Sequence, residues 1–250
     1  MSKLVKKKIQ MGETAATITC DETYLSAVIE GIARARNDLK AYVKDRPDFL
    51  LSLEPLDADR DAPIVVKRMC DASEMAGVGP MAAVAGAIAW AGAESAVEAG
   101  CSHCIVDNGG DIAIILDRPV TIGIINNIES DIIPAVEIAP TNGKILGICT
   151  SSGIYGHSIS FGSAEAATAM AKNPALADAL ATALGNACKD KSSIRVALEG
   201  ISGIEGVIWA MAIVDGKIGT MGDVPRMLTG KRTAENTTVH SDFPASIAVR

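Results

Sequence analysis

A helix is predicted for Asn173–Leu184, which reads NPALADALATAL. Asparagine is a favoured N-cap residue and proline suits the first helical position, so Asn173 and Pro174 define where the helix begins. On one face, Asp178 and Thr182 lie a single turn apart. Apolar residues recur at helical spacing elsewhere and predict a buried stripe, made of Leu176, Leu180, Ala183, Leu184 and Ala187.

The face that carries Asp178 and Thr182 admits two interpretations. A carboxylate and a hydroxyl at i and i+4 can reach one small object together. Their neighbours are small, Ala175 and Ala181, so a hard cation, or a cation paired with a phosphate, could approach closely. The alternative is a solvated helix face that happens to hold one aspartate, and the residue pattern alone favours that alternative.

The composition limits the classes of function. A net charge of −7 over 250 residues argues against general nucleic-acid binding, which needs a basic surface. The chain is 48% hydrophobic with only 3% aromatic residues, so the core must consist of aliphatic side chains. The basic run Lys3–Lys8 has no apolar segment of the secretory type beside it, which predicts a cytoplasmic protein with six free thiols. The apolar run Met75–Ala93 contains Pro80 and is followed by a glutamate, which favours a buried globular helix over a membrane span.

The order of patterns predicts a single domain over 1–250. A strand pair is expected at Lys7–Cys20, and helices follow before residue 100. Short β-branched runs separated by turn residues begin at Cys104 and include Ser158–Phe161, as in a largely antiparallel sheet. Asp215-Gly216 predicts the turn of a later hairpin. Pro47–Pro63 reads as a loop, and residues 226–250 read as a C-terminal tail. Helices packed on antiparallel sheet give an α+β class. The abundance of alanine and glycine, with the long tail, predicts a homo-oligomer.

Three loops could hold a ligand, and each also has a structural explanation. The first, with Asn108, Gly109, Gly110 and Asp111, lies between two strand runs, where Asn-Gly is a hairpin signal, yet its glycines could also admit a ligand. The second, Gly77–Pro80, precedes a helix and is a tight turn or a phosphate site. The third loop contains hydroxyl groups, glycines and a histidine, and its candidate residues are Ser151, Ser152, Gly153 and His157. It could be a ligand-binding loop, a polar turn or a Ser–His nucleophilic pair.

The pair Cys101 and Cys104 forms a C-x-x-C motif with an internal histidine. No second pair is present, since the other four cysteines are single, and the motif follows a helix instead of starting one. Structural thiols are the first interpretation, sulfur or redox chemistry the second, and a zinc site the third.

Three segments in order resemble the ApbE family of flavin transferases. They are the glycine-containing helix start Gly77–Ala87, the turn Asn108–Asp111, and the run ADALATA at Ala177–Ala183, which is the most specific match. The resemblance spans roughly Asp71–Asn186, a little under half of the chain. It implies an ApbE-like, T-fold-like architecture of antiparallel sheet packed with helices.

The resemblance also implies a function and a site. In the family, the aspartate and threonine of the last motif hold a divalent cation, usually magnesium, beside the phosphates of FAD, and FMN is moved to a protein threonine with release of AMP. Carried over, Asp178 and Thr182 become ligands of Mg²⁺ or Ca²⁺. Asn108–Asp111 and Ser151–Gly153 then line the site of a flavin nucleotide, FAD or FMN, and His157 becomes a candidate for proton transfer.

The family's His-Ile-x-Asp-Pro-x-Thr-Gly run is absent here, and only Gly156-His157-Ser158-Ile159 stands before the helix with Asp178. The chain is therefore similar to the reduced, cytoplasmic ApbE-like proteins whose activity is unassigned. The leading hypothesis is an enzyme that binds FAD through a cation and transfers or hydrolyses it. The alternatives are a non-catalytic flavin-binding or partner protein, and a cysteine-based accessory protein of sulfur assimilation that uses Cys101 and Cys104.

Overall fold

Alternating apolar residues and Asx-Gly turns build two antiparallel sheets in the computed structural model, which describes residues 3–124, 132–151 and 162–231. The strands are β1 (Leu4–Met11), β2 (Thr14–Asp21), β3 (Cys104–Asn108), β4 (Asp111–Ile115), β5 (Val120–Gly123), β6 (Ile132–Ile138), β7 (Leu146–Ser151), β8 (Ala166–Ala171), β9 (Val207–Val214), β10 (Lys217–Gly222) and β11 (Arg226–Lys231). The helices are α1 (Leu25–Val43), α2 (Pro47–Leu51), α3 (Ile64–Ala76), α4 (Val84–Glu98), α5 (Pro174–Ala187) and α6 (Ile194–Ser202).

The larger sheet has eight strands in the order β1-β2-β3-β4-β7-β8-β9-β10, and the smaller has the order β11-β6-β5. Every pairing in both sheets is antiparallel. The predicted Asp-Gly hairpin joins β9 to β10, with φ of 45° at Asp215 and 73° at Gly216. Positive φ at both central residues is what a two-residue hairpin turn of type I′ requires.

The molecule has three layers, because successive side chains of a strand point to opposite faces of the sheet. On β3, Val106 packs against α1 and α4, whereas Ile105 packs in the core between the two sheets. The helices thus cover one face of the large sheet and the small sheet covers the other. The predicted α+β class, with helices packed on antiparallel sheet, is confirmed.

Helix α5 packs closely on the large sheet because small residues, mainly alanine and glycine, occupy the facing positions. A Cβ added at Gly147 of β7 would lie 2.4 Å from Pro174 Cα at the start of α5. Small side chains allow backbones to approach closely, so little but backbone and methyl groups separates the two elements. This surface, called the alanine interface below, comprises Ala167, Ala169 and Ala171 of β8, Ala210 and Ala212 of β9, and Ala177 and Ala181, one turn apart on α5, all buried.

Three segments differ from the sequence-based prediction. Pro47–Leu51 is a short helix inside the segment expected to be a loop, and it begins with proline at its first position. Helix α6 was not predicted, although its buried residues recur at helical spacing, namely Ile194, Ala197, Leu198 and Ile201. The expected tail begins with a strand, since Arg226–Lys231 pairs with β6. The strand predicted at 158–161 lies outside the described residues.

One described helix, Pro80–Glu98, is long and apolar enough to pass a test for a membrane span by length and composition. Its most apolar window has a mean hydropathy of 1.2, and 56% of that window is buried within the protein. Four buried residues of α4 pack against α1 and the strands β2, β3 and β4 in one apolar cluster, namely Ile88, Ala89, Ala93 and Ala96. A core helix meets the same criteria.

Candidate functional site

The candidate site lies where three neighbouring strands reach the same edge of the large sheet. Strand β3 ends at Asn108, β4 begins at Asp111 and β7 ends at Ser151. The Asn108 side-chain amide donates to the carbonyl oxygen of Ala85 in α4, at 3.1 Å. Ser151 Oγ lies 3.4 Å from the position that a Cβ would take at Gly185 of α5. These side chains therefore lie between the sheet and the helix layer.

The turn between β3 and β4 has the geometry of a tight hairpin. Gly109 and Gly110 have φ of 75° and 104°, in the region that favours glycine. The Gly110 N–H donates to Asp107 Oδ1 at 2.9 Å. The hairpin interpretation of this turn is confirmed, while a contact with a nucleotide remains a prediction.

Asp178 is buried, with 7% of its surface exposed. Its Oδ2 accepts a hydrogen bond from the Gly86 N–H at 2.8 Å. Gly86 belongs to the first turn of α4, whose N-cap residue, Ala83, has no side chain able to cap it. Asp178 thus caps α4 from a neighbouring helix, and its negative charge faces the positive end of the helix dipole. The prediction of a solvated helix face is wrong, because α5 is buried on almost every side.

A close helix contact permits this hydrogen bond. A Cβ added at Gly86 would lie 2.3 Å from Pro174 O and 2.8 Å from Asp178 Cβ. Only glycine allows α4 and α5 to approach this closely. The predicted start of α5 is confirmed, since Asn173 accepts the Leu176 N–H at 2.8 Å.

Two carboxylates of the site have raised pKa values. Burial raises the pKa of Asp178 to about 7. Hydrogen bonds from the backbone of Gly86 and Ala85 act in the opposite direction, but burial has the larger effect. The pKa of Asp111 is raised well above its ordinary value, first by desolvation and then by the charges of Asp178 and Asp107. A site that desolvates two neighbouring carboxylates stabilises a bound proton or a cation.

Cys149 was not predicted as part of this site, yet its thiol lies in it. Cys149 is the cross-strand partner of Asp111, which places its thiol beside that carboxyl group. Its Sγ also lies 3.6 Å from Pro174 O. Burial raises the pKa of Cys149 well above its ordinary value, so the thiol stays protonated. No motif in the sequence brings it near Asp111; only the register of β4 and β7 does.

The other residues predicted for the site fall into three groups: Thr182 on α5, the turn Gly77–Pro80, and residues outside the described part of the chain. Thr182 follows Asp178 by one turn of α5 and is half-buried. At the turn before α4, a Cβ on Gly79 would lie 1.9 Å from Ser52 O, and Gly77 ends α3 with φ of 66°. The tight-turn interpretation of Gly77–Pro80 is thereby favoured over a phosphate site. Three predicted residues lie outside the described residues: Ser152, Gly153 and His157.

The donors present suit a hard cation that arrives with a phosphate. Among the described residues, no group of three or more His, Cys, Asp or Glu side chains is arranged to hold a metal ion. Mg²⁺ is commonly bound through one or two carboxylates and the phosphates of a substrate, without an all-protein cage. Asp178 and Thr182 carry oxygen atoms of this kind, and Asp111 places a second carboxyl group near Asp178.

The C-x-x-C pair lies away from this edge of the sheet. Cys104 begins β3, whereas Asn108 ends it, so about 13 Å of strand separates them. Cys101 and Cys104 are 5% and 0% exposed. His103 turns to Asp117, with Nδ1 2.9 Å from Oδ1. Buried thiols are consistent with the structural interpretation, and the zinc interpretation has no support among the described residues.

Comparison with known proteins places the chain among relatives of similar length. A family model described as "AbpE bacteria" matches residues 2–200. A UPF0280 protein of Methanocella arvoryzae is 43% identical over 221 residues, covering 88% of this chain and 90% of the relative. A UPF0280 protein of Methanosarcina barkeri is also 43% identical, over 225 residues, covering 89% of this chain and 88% of the relative.

The fold is that of a solved flavin transferase. The structure titled Flavin Transferase ApbE from Vibrio cholerae matches with a TM-score of 0.59 and 13% identity, covering 88% of this chain and 97% of that chain. The ApbE-like architecture implied by three short motifs is confirmed. With most of its length matched by the family model and by relatives above 40% identity, the chain belongs to the ApbE-like family that the AbpE bacteria model describes.

Proposed function

We propose that the chain binds a flavin nucleotide, FAD, through a divalent cation at the edge formed by β3, β4 and β7, and transfers or hydrolyses the nucleotide. The observation that carries this proposal is the proximity of two carboxyl groups, those of the buried Asp178 and the half-buried Asp111, each desolvated enough for its pKa to be raised. Such a pair is least stable when both carboxylates are ionised and nothing balances their charge. A cation that enters with phosphate oxygens supplies that balance.

Each residue has a distinct part in this proposal. Asp178 and Thr182 would hold Mg²⁺, or Ca²⁺, and the ion would supply charge stabilisation at the nucleotide's pyrophosphate. Asn108, Ser151 and the glycines of the β3–β4 turn would line the nucleotide. The similarity of the fold to the Vibrio cholerae flavin transferase supports a flavin as the nucleotide. His157 keeps its proposed role in proton transfer.

The first experiment is a titration of the apoprotein with FAD, with and without Mg²⁺, that follows flavin fluorescence and released AMP. Binding that depends on Mg²⁺, with AMP release, would support the enzyme. Binding without AMP would instead support the second candidate, a non-catalytic flavin-binding protein, which the absent His-Ile-x-Asp-Pro run favours. Absence of binding in both conditions would contradict the proposal.

Asp178→Asn tests the proposed ligand. The amide oxygen can still accept a hydrogen bond from Gly86 but carries no charge, so we expect the fold to remain and Mg²⁺-dependent FAD binding to fall by at least tenfold. Glu98→Gln is the matched control, because it removes an exposed carboxylate from the far end of α4. Equal affinities of Asp178→Asn and Glu98→Gln would exclude Asp178 as a ligand.

A further inference from the structure

Two cysteines outside the candidate site face each other across the large sheet. Cys20 is the penultimate residue of β2 and Cys104 is the first residue of β3, and the two are direct partners in the antiparallel register. Both side chains point to the helix layer and are fully buried in the cluster that joins α1 and α4 to the sheet. They are 84 positions apart in sequence, and their pairing is a product of the fold.

Their separation suits a covalent bond between the sulfurs. Directly opposed residues of antiparallel strands have Cα atoms about 4.5–5.5 Å apart. Disulfides form across Cα separations of about 4.4–6.8 Å. The two side chains lie on the same face of the sheet, at directly paired positions and in the same buried cluster, so they point together and not apart.

The neighbouring thiol of the C-x-x-C motif is directed elsewhere. Cys101 Sγ donates to the carbonyl oxygen of His103 at 3.3 Å, in the turn before β3. Cys101 lies in the same buried cluster as Cys104, but its thiol is engaged by this carbonyl oxygen, whereas Cys104 is directly paired with Cys20 in the sheet. The partner of Cys104 is Cys20, which no spacing motif contains.

We propose that Cys20 and Cys104 are a redox-active dithiol, which a low-molecular-weight disulfide oxidises to a cross-strand disulfide that links β2 to β3. The Cys20 thiolate attacks one sulfur of the small disulfide and expels one thiolate. The sulfur of Cys104 then displaces the second, and its proton goes to the departing sulfur. Two protein thiols become one disulfide, and one small disulfide is reduced to two thiols.

The environment distinguishes the two sulfurs. The hydrogen bond from Cys104 lowers the pKa of Cys20 against the effect of burial. The same hydrogen bond, together with burial, raises the pKa of Cys104. Cys20 is therefore the sulfur that ionises first, and a thiolate is the attacking species in this exchange.

Access is provided by the ends of the strands. Cys20 and Cys104 form the terminal residue pair of the β2–β3 ladder, next to the short 3-10 helix Glu22–Tyr24 that follows β2 and the connection 99–103 that precedes β3. On its other side β2 pairs only with β1, the edge strand of the sheet, most of whose residues are exposed or half-buried. Strand ends next to an edge hairpin open locally at lower free energy than the centre of a sheet.

The test is disulfide mapping of the full chain. Purified protein is equilibrated in glutathione buffers of increasing oxidised fraction, alkylated, and analysed by intact mass and peptide mapping. We expect a loss of about 2 Da and a peptide that joins Cys20 to Cys104. A link between Cys101 and Cys104 would overturn the proposal, and so would free Cys20 and Cys104 thiols in the most oxidising buffer.

Single variants separate the pair from its neighbour. Cys101→Ser is the matched control and should still form the bond, whereas Cys20→Ser and Cys104→Ser should each abolish it. Far-UV circular dichroism checks that the variants are folded. If a variant does not fold, disulfide mapping of the unsubstituted chain still tests the proposal. Oxidation that is lost in Cys101→Ser but kept in Cys20→Ser would contradict the assignment.

Discussion

The carboxylate of Asp178 caps α4, and it is also the group that we propose as a cation ligand, so a substitution that removes it would affect both roles. Its Oδ2 accepts the Gly86 N–H in a buried contact between helices. Asp178→Ala would lose the cap and the charge together. Only Asp178→Asn, which keeps an acceptor oxygen, separates the contribution to stability from the contribution to binding.

Gly86 tests how closely α4 and α5 must approach. We expect Gly86→Ala to destabilise the protein by about 1–3 kcal/mol, because the added methyl group would lie 2.3 Å from Pro174 O. Helix propensity alone would predict the opposite sign, by about 1 kcal/mol. Urea denaturation measures the free energy of unfolding.

The control for that substitution is Gly200→Ala in α6, where a Cβ would meet nothing within 4 Å. Gly200→Ala should be neutral or stabilising by up to about 1 kcal/mol. If Gly86→Ala is as stable as Gly200→Ala, the close helix contact does not constrain this position.

At the scale of elements, the start of α5 is set by one side chain. Asn173 accepts the Leu176 N–H and satisfies a backbone donor that the helix cannot. We expect Asn173→Ala to cost about 1 kcal/mol in the free energy of unfolding, and Asn173→Ser to cost only a few tenths. Thermal or urea denaturation of the two variants measures this. A loss of equal size in both would show that the cap is not responsible.

Strong local signals made most elements predictable. The Asp215-Gly216 turn and the Asn173-Pro174 start each contain residue types that few other conformations favour. Helix α6 has a clear apolar stripe, but a serine-rich start and Gly200 obscure it in the sequence. Of the candidate site, Asn108, Asp111 and Ser151 were predicted as one group, and the register of β3, β4 and β7 brings them together.

Long-range packing explains what the sequence did not predict. The burial of Asp178 was missed because alanine neighbours are equally compatible with an exposed and a buried helix face. The cap on Gly86 joins residues 92 positions apart, and no local pattern records such a contact. The pairs Cys20 with Cys104 and Cys149 with Asp111 depend in the same way on strand register.

At the scale of the whole molecule, stability without a cation should fall as pH rises. The folded-state pKa of Asp178, about 7, lies above its ordinary value of 3.8, so the folded protein holds the proton more tightly. That contribution is fully present below pH 4 and is lost as the pH rises through 7. The raised pKa of Asp111 acts in the same direction.

We therefore expect the free energy of unfolding of the apoprotein to fall by on the order of 2–4 kcal/mol between pH 5 and pH 8. Urea denaturation at a series of pH values measures it. In Asp178→Asn the fall should be smaller, because one of the two carboxylates no longer titrates. A stability that rises over this range, or a fall of the same size in Asp178→Asn, would contradict the assigned pKa of Asp178.

The predicted homo-oligomer is tested by light scattering after size-exclusion chromatography. One chain has a mass of 25.8 kDa, so a dimer or larger assembly gives at least twice that value. A peak of about 26 kDa at all concentrations would contradict the prediction.

The alanine interface sets a fixed distance between α5 and the large sheet. Each of its side chains ends at Cβ and has no rotamer that could vary the gap. A larger residue at any of these positions would push α5 away from the sheet. The Asp178 carboxylate would move with the helix and shift relative to the first turn of α4. The position of the Asp178 carboxylate at the first turn of α4 therefore depends on alanine residues that the proposed site does not include.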